Sequence, residues 1–156
     1  PAAVSSMDDV MQWKVQSVRA ATFIRGLSNQ LKKGGKGYIA MDYDFTKHPS
    51  AVSASYLVPF SKLTIPSTPT SLSLWVSGDG NKNWLRASTS DCNGKEHVIN
   101  FTNEYGLSWK GWRQVTTKIP TGIQYPIRVN SIYVAQGNAK LKGKGAILFN
   151  ELIATY

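Results

Sequence analysis

The sequence predicts an all-β protein, an antiparallel β-sandwich, and three observations carry that expectation. From residue 37 onward, short runs rich in β-branched and aromatic residues recur between clusters of Gly, Pro, Asn and Asp, the spacing of a sandwich or barrel. Within these runs apolar and polar residues alternate with the period of two that a half-buried strand requires. Charged residues make up 17% of the 156 residues and apolar residues 42%, against a usual charged fraction of about 25%, which describes a folded domain with an uncharged polar surface. A chain of this length buries roughly 70% of its unfolded surface and fits one domain, here residues 1–156.

Residues 1–36 are the least regular. Ile24, Leu27 and Leu31 have helical spacing, whereas Trp13, Val15 and the apolar run 20–24 suit one or two strands; strands are the expectation. A Gly-rich turn at 33–37 leads to eight strands at about 37–45, 52–60, 71–77, 83–90, 96–101, 112–119, 127–135 and 145–154. Turn formers fill the gaps at 77–81, 91–94, 103–106, 120–126 and 137–143.

Alternation assigns each side chain to a face. Ile39, Met41, Tyr43 and Phe45 belong inward, leaving Tyr38, Ala40, Asp42 and Asp44 outward. Leu72, Leu74 and Val76 place Trp75 outward among serines; Leu85 and Ala87 do the same for Trp84 and Arg86. Val115, Thr117 and Ile119 send Trp112 and Gln114 outward, and Ile132 and Val134 send Tyr133 outward. Trp75, Trp84, Arg86, Trp112, Gln114 and Tyr133 are therefore the candidate carbohydrate-binding residues. A planar ring offers an apolar face to the C–H surface of a sugar, and neighbouring Arg and Gln side chains hydrogen-bond hydroxyls. The alternative is that these tryptophans form a second core under a loop or under the N-terminal segment.

Eighteen Lys and Arg against nine Asp and Glu give a net charge of +9, which implies a partner carrying negative charge. The excess is spread along the chain, and its densest runs, Lys32, Lys33 and Lys36 and then Lys140, Lys142 and Lys144, read as solvated turns. Cys92 is the only cysteine, which excludes an intrachain disulfide and a multi-cysteine zinc site. His48 and His97 form no catalytic pattern with it. No apolar run approaches a membrane span, so no membrane partner is expected. Catalysis is not expected either. The only close carboxylates on one strand face are Asp42 and Asp44, which lie side by side instead of flanking a bond, and no nucleophile elbow, zinc motif or phosphate loop is present. The chain begins at Pro1, without an initiator Met or signal peptide, as expected of a module excised from a larger protein.

Several stretches carry a resemblance. LWVSGDGNKNWL at 74–85, the DCNGK turn at 91–95, WKGWR at 109–113, the segment 120–132, and the opening and closing strands resemble β-sandwich modules appended to secreted bacterial glycosidases and phosphodiester glycosidase-like proteins. These modules are galactose-binding-like jelly rolls that bind carbohydrate. The resemblance implies a non-catalytic module targeting the catalytic domain of its parent chain to a polysaccharide or oligosaccharide, with the positive charge pointing to an acidic polymer. It implies a secreted or cell-surface bacterial protein. It also implies a structural Ca²⁺ where the first and last strands meet, held by Asp8 or Asp9, Glu151 and a carbonyl of the 35–37 turn, although Asn150-Glu151 stands where such modules more often carry Asp. Two other readings are a structural accessory domain without a ligand, in which Trp109 and Trp112 lock a sandwich corner, and a basic single-stranded nucleic-acid-binding β domain. The chain has no RNP-like or cold-shock pattern, so nucleic acid is not the expected partner.

Overall fold

The computed structural model describes residues 1–28 and 37–156. Among them are twelve strands: β1 (Ala2–Ser5), β2 (Trp13–Val18), β3 (Ala21–Leu27), β4 (Tyr38–Asp44), β5 (Ser53–Pro59), β6 (Leu63–Ile65), β7 (Ser71–Asp79), β8 (Trp84–Ser90), β9 (Glu96–Asn100), β10 (Lys110–Thr117), β11 (Ile127–Gln136) and β12 (Lys144–Thr155). They form two antiparallel sheets. Sheet I runs β10-β7-β12-β4-β3, with β1 also on β12; sheet II runs β2-β5-β11-β8-β9, with β6 also on β11. This is the sandwich that the alternation predicts.

The inward residues of both sheets share one core. Ile39, Met41, Phe45, Leu72, Leu74, Val76 and Phe149 from sheet I meet Leu57, Leu85, Ile99, Ile132 and Val134 from sheet II. All are nearly inaccessible, so each contributes about 1.5–3 kcal/mol of burial. Among its described residues the first section forms strands and one short 3-10 turn, Val10–Gln12, and no α-helix: β2 pairs with β5 and β3 with β4, so the two cross from one sheet to the other. A chain of hydroxyls, Ser17 to Thr22 to Ser55, ties this corner at 2.7 and 2.6 Å.

Two strands were not legible. β1 is four residues of small side chains and β6 is three residues between Pro59 and Pro66; neither is long enough to show a period. β10 starts at Lys110, two residues before its expected start. Leu31, the basic run Lys32, Lys33 and Lys36, and most of the 33–37 turn lie outside the described residues. The second basic run is not a purely solvated turn. Lys142 Nζ donates to the carbonyls of His48 and Ala51, and desolvation there lowers its pKa.

One irregularity lies where the first and last strands meet. β12 pairs with β4 through Phe149 and with β1 from Leu152, and a bulge between Asn150 and Leu152 puts Glu151 at φ 47°. Ser6, Met7 and Gly37 approach β12 at this change of partner.

Candidate functional site

The six candidate residues divide between opposite faces. Gln114 pairs with Trp75, and Trp112 with Ser77, on the outer face of sheet I. Arg86 pairs with Tyr133, and Trp84 with Ala135, on the outer face of sheet II. The two sheets pack about 10 Å apart with their outer faces pointing away from each other, so the six cannot surround one ligand. Alternation tells in from out; it does not tell which of two sheets a strand joins.

The sheet II group is closed. Trp84 Nε1 donates to the Thr102 carbonyl at 3.1 Å, and the Arg86 guanidinium lies 3.8 Å from the centre of the Trp84 ring. Arg86 Nε also donates to Asn100 Oδ1 at 2.8 Å. Tyr133 is only 7% exposed and packs at 4.6 Å on Tyr56, beside Ala54 and Ala135. Burial raises the pKa of its hydroxyl. These side chains pack on one another in a small cluster on the outer face of sheet II, with one face of the Trp84 ring covered by Arg86.

The sheet I group is open. Trp112 is 38% exposed, and its ring meets Tyr38 edge to face, 5.2 Å between centroids at 87°. Trp75 is half-buried in the row Gln114–Trp75–Asn150, and Gln114 is exposed. In the neighbouring rows Arg25 forms a two-pronged pair with Asp42, Nε to Oδ2 at 2.6 Å and Nη2 to Oδ1 at 2.9 Å. The Asp42 bond raises the Arg25 pKa. The face thus combines aromatic area with a fixed hydrogen-bonding fork, which suits a polyhydroxylated ligand. Tyr38, Arg25 and Asp42 were not among the candidates. Alternation already placed Tyr38 and Asp42 outward, and the exposed–covered period of β3 is the signal for Arg25.

The WKGWR stretch explains itself in structure. Trp109 packs on the core, with Nε1 3.4 Å from the Val76 carbonyl and Arg113 4.7 Å from its ring centre. Gly111, at φ 81°, lies between it and the outward Trp112. A Cβ on Gly78 would overlap the Trp109 carbonyl oxygen, so glycine is required for the two segments to approach. In the DCNGK turn, Asp91 accepts from the backbone N–H of Asn93 and Lys95 and lies 2.8 Å from His97 Nε2. These contacts, led by His97, hold its carboxyl below the usual range. His97 is thereby structural. Cys92 is exposed and its thiol is free.

Asp42 and Asp44 do not have the form of a catalytic pair. Asp42 is engaged by Arg25, and Thr46 donates its hydroxyl and N–H to Asp44, lowering its pKa, the reverse of what a general acid needs.

At the strand junction assigned to Ca²⁺, Asp8 and Glu151 directly follow Met7 and Asn150 in the chain, and the groups that converge are the Ser6, Met7 and Gly37 carbonyls. Asn150, 3% exposed, donates to them from Nδ2 at 3.2, 3.1 and 2.9 Å. With an amide donor at the centre, these residues do not fit a divalent cation, which needs oxygens there. Among the described residues no three His, Cys, Asp or Glu side chains gather elsewhere to hold a metal. No described helix is long and apolar enough to cross a membrane.

No family model and no curated protein matches the sequence. Solved structures do match in shape. One belongs to a work on the promiscuous specificity of carbohydrate-binding modules of the β-sandwich superfamily (TM-score 0.58, 10% identity, 93% of this chain and 57% of that one). A family 11 carbohydrate-binding module from Clostridium thermocellum, in complex with a β-1,3-1,4-mixed-linked tetrasaccharide, matches over 99% of this chain and 95% of its own (TM-score 0.59, 11% identity). A mannan-recognising carbohydrate-binding module matches over 97% and 92% (TM-score 0.54, 15% identity). The chain thus has the β-sandwich fold of such modules, and it spans little more than half the length of the first.

Proposed function

We propose that this chain is a non-catalytic carbohydrate-binding module whose ligand lies on the outer face of sheet I. The observation that carries the reading is Trp112, a large exposed aromatic held on the outer face of sheet I by Tyr38, with the Arg25–Asp42 fork on the same face toward its β3–β4 edge. The mixed-linked tetrasaccharide and the mannan bound by proteins of the same fold support a polysaccharide or oligosaccharide as the ligand class. Targeting of a catalytic partner on a parent chain, and a place outside a bacterial cell where such polymers occur, belong to the same proposal.

The net charge suggests an acidic polymer, but the charges on this face favour a neutral one. Arg25 is closed on Asp42, and Asp44 lies close enough to Lys144 for that cation to lower its pKa. We therefore expect binding that changes little with salt, whereas an anionic ligand would be released as ionic strength rises. Affinity electrophoresis on mixed-linked β-glucan, galactomannan, xylan and polygalacturonate tests this. Retardation by a neutral polymer that is lost in Trp112→Ala supports the site; retardation by none of them overturns the function.

A further inference from the structure

Phe23 stands on β3, the edge of sheet I opposite β10, and it was not among the residues the sequence singled out. It is 66% exposed, an unusual state for a phenylalanine at the centre of a strand. In register it lies directly opposite Asp42, whose own partner on β12 is Ala146. Beside it opens a shallow groove of about 410 Å³ bounded by Asp42, Asp44, Lys144 and Ala146. The small residue Ala146, opposite Asp42, leaves the floor low, while the carboxylates and the ammonium stand at the rim. An exposed ring thus stands at each edge of the same face, and the one at Phe23 has a lowered floor and fixed polar groups beside it.

From this arrangement, and resting on the carbohydrate reading above, we infer that Phe23 is the platform of a second sugar subsite, which takes a neutral pyranose unit of the same chain that stacks on Trp112. Register places Trp112, Arg25, Asp42 and Phe23 all on the outer face. Four inter-strand steps of about 4.8 Å separate β10 from β3, roughly 19 Å, a span several sugar rings long. A ligand lying across the strands would meet Trp112 at one end and, at the other, Phe23 with the Arg25–Asp42 fork next to it. The rim charges offset one another, Asp42 against Arg25 and Asp44 against Lys144, so the groove offers no net positive charge to a carboxylate-bearing sugar and its occupant is neutral.

The test is the dependence of affinity on ligand length, measured by calorimetry with short and long oligosaccharides cut from whichever neutral polymer binds the wild-type protein. Phe23→Ala should weaken the long oligosaccharide by about tenfold while leaving a disaccharide nearly unchanged, and Phe23→Tyr should restore the long-chain affinity. Trp112→Ala should weaken both. The side chain of Phe23 is mostly in solvent, so the alanine variant should keep the wild-type melting temperature. If the wild type binds but Phe23→Ala leaves the length dependence unchanged, the subsite is overturned and the carbohydrate reading stands. If the wild type binds none of the polymers, both fall together.

Discussion

Trp112 and Tyr38 meet edge to face although two strands, β7 and β12, separate the strands that carry them. The rings can touch only by leaning toward each other over the outer face of sheet I, where Ser77 and Leu148 continue the row of Trp112 on the intervening strands. The contact orients the indole. An aromatic platform fixed in this way loses little side-chain entropy when a sugar stacks on it.

Removing one ring of that pair should separate binding from folding. Trp112→Ala is expected to weaken polysaccharide binding by about tenfold or more, with Tyr38→Ala intermediate because it loosens the platform without deleting it. Affinity electrophoresis followed by calorimetry reads both.

Trp84 should behave in the opposite way. Its indole is bonded to Thr102 and covered by Arg86, so Trp84→Ala should cost about 2–3 kcal/mol of stability by chemical denaturation and leave carbohydrate affinity unchanged. A binding defect at unchanged stability would place the ligand on sheet II instead.

Gly78→Ala pushes a methyl into the Trp109 backbone, which has no rotamer with which to yield. A loss of about 2–3 kcal/mol is expected, and the WKGWR segment should show faster hydrogen exchange.

The amide at Asn150 makes a prediction about metals. Chelator should leave the melting temperature of the wild type unchanged. Asn150→Asp replaces a donor with a charge facing the Ser6, Met7 and Gly37 carbonyls, and should lower the melting temperature by roughly 10 °C in chelator, part of which millimolar Ca²⁺ restores. A chelator-sensitive wild type would return the junction to a cation.

Asp91 gives a pH dependence of definite sign. Its carboxyl is held below its ordinary value, so its contribution is present above the unfolded-state pKa of about 3.9 and is lost as pH falls through the lower folded value. Asp91→Asn should lower the melting temperature at neutral pH, and the gap to wild type should close on acidification below about pH 4. A gap of constant size down to pH 2 would show that the charge of Asp91 contributes nothing.

Period-two alternation made the architecture legible at each strand long enough to show it. Ile39, Met41, Tyr43 and Phe45 on one strand, and Leu72, Leu74 and Val76 on another, are buried as their spacing requires. It also placed Trp75, Trp84, Trp112 and Tyr133 on outer faces. It could not say that Tyr133 would be covered by Tyr56 or that Trp84 would lie beneath Arg86, since those contacts come from side chains on adjacent strands or packed across a pleat. Phe23 was missed because β3 lies in the irregular first section, where helical and strand spacings competed.

The sequence alone determined which side chains face the core and which face outward, because that depends only on position along a strand. The tertiary structure decided which outward residues share a face, because sheet membership depends on pairings between distant segments: β10 on β7, β11 on β8, β3 on β4. That step divided one list of six residues into a closed cluster on sheet II and an open platform on sheet I. It also brought the amide of Asn150 to the carbonyls of Ser6, Met7 and Gly37, where the sequence had suggested a cation.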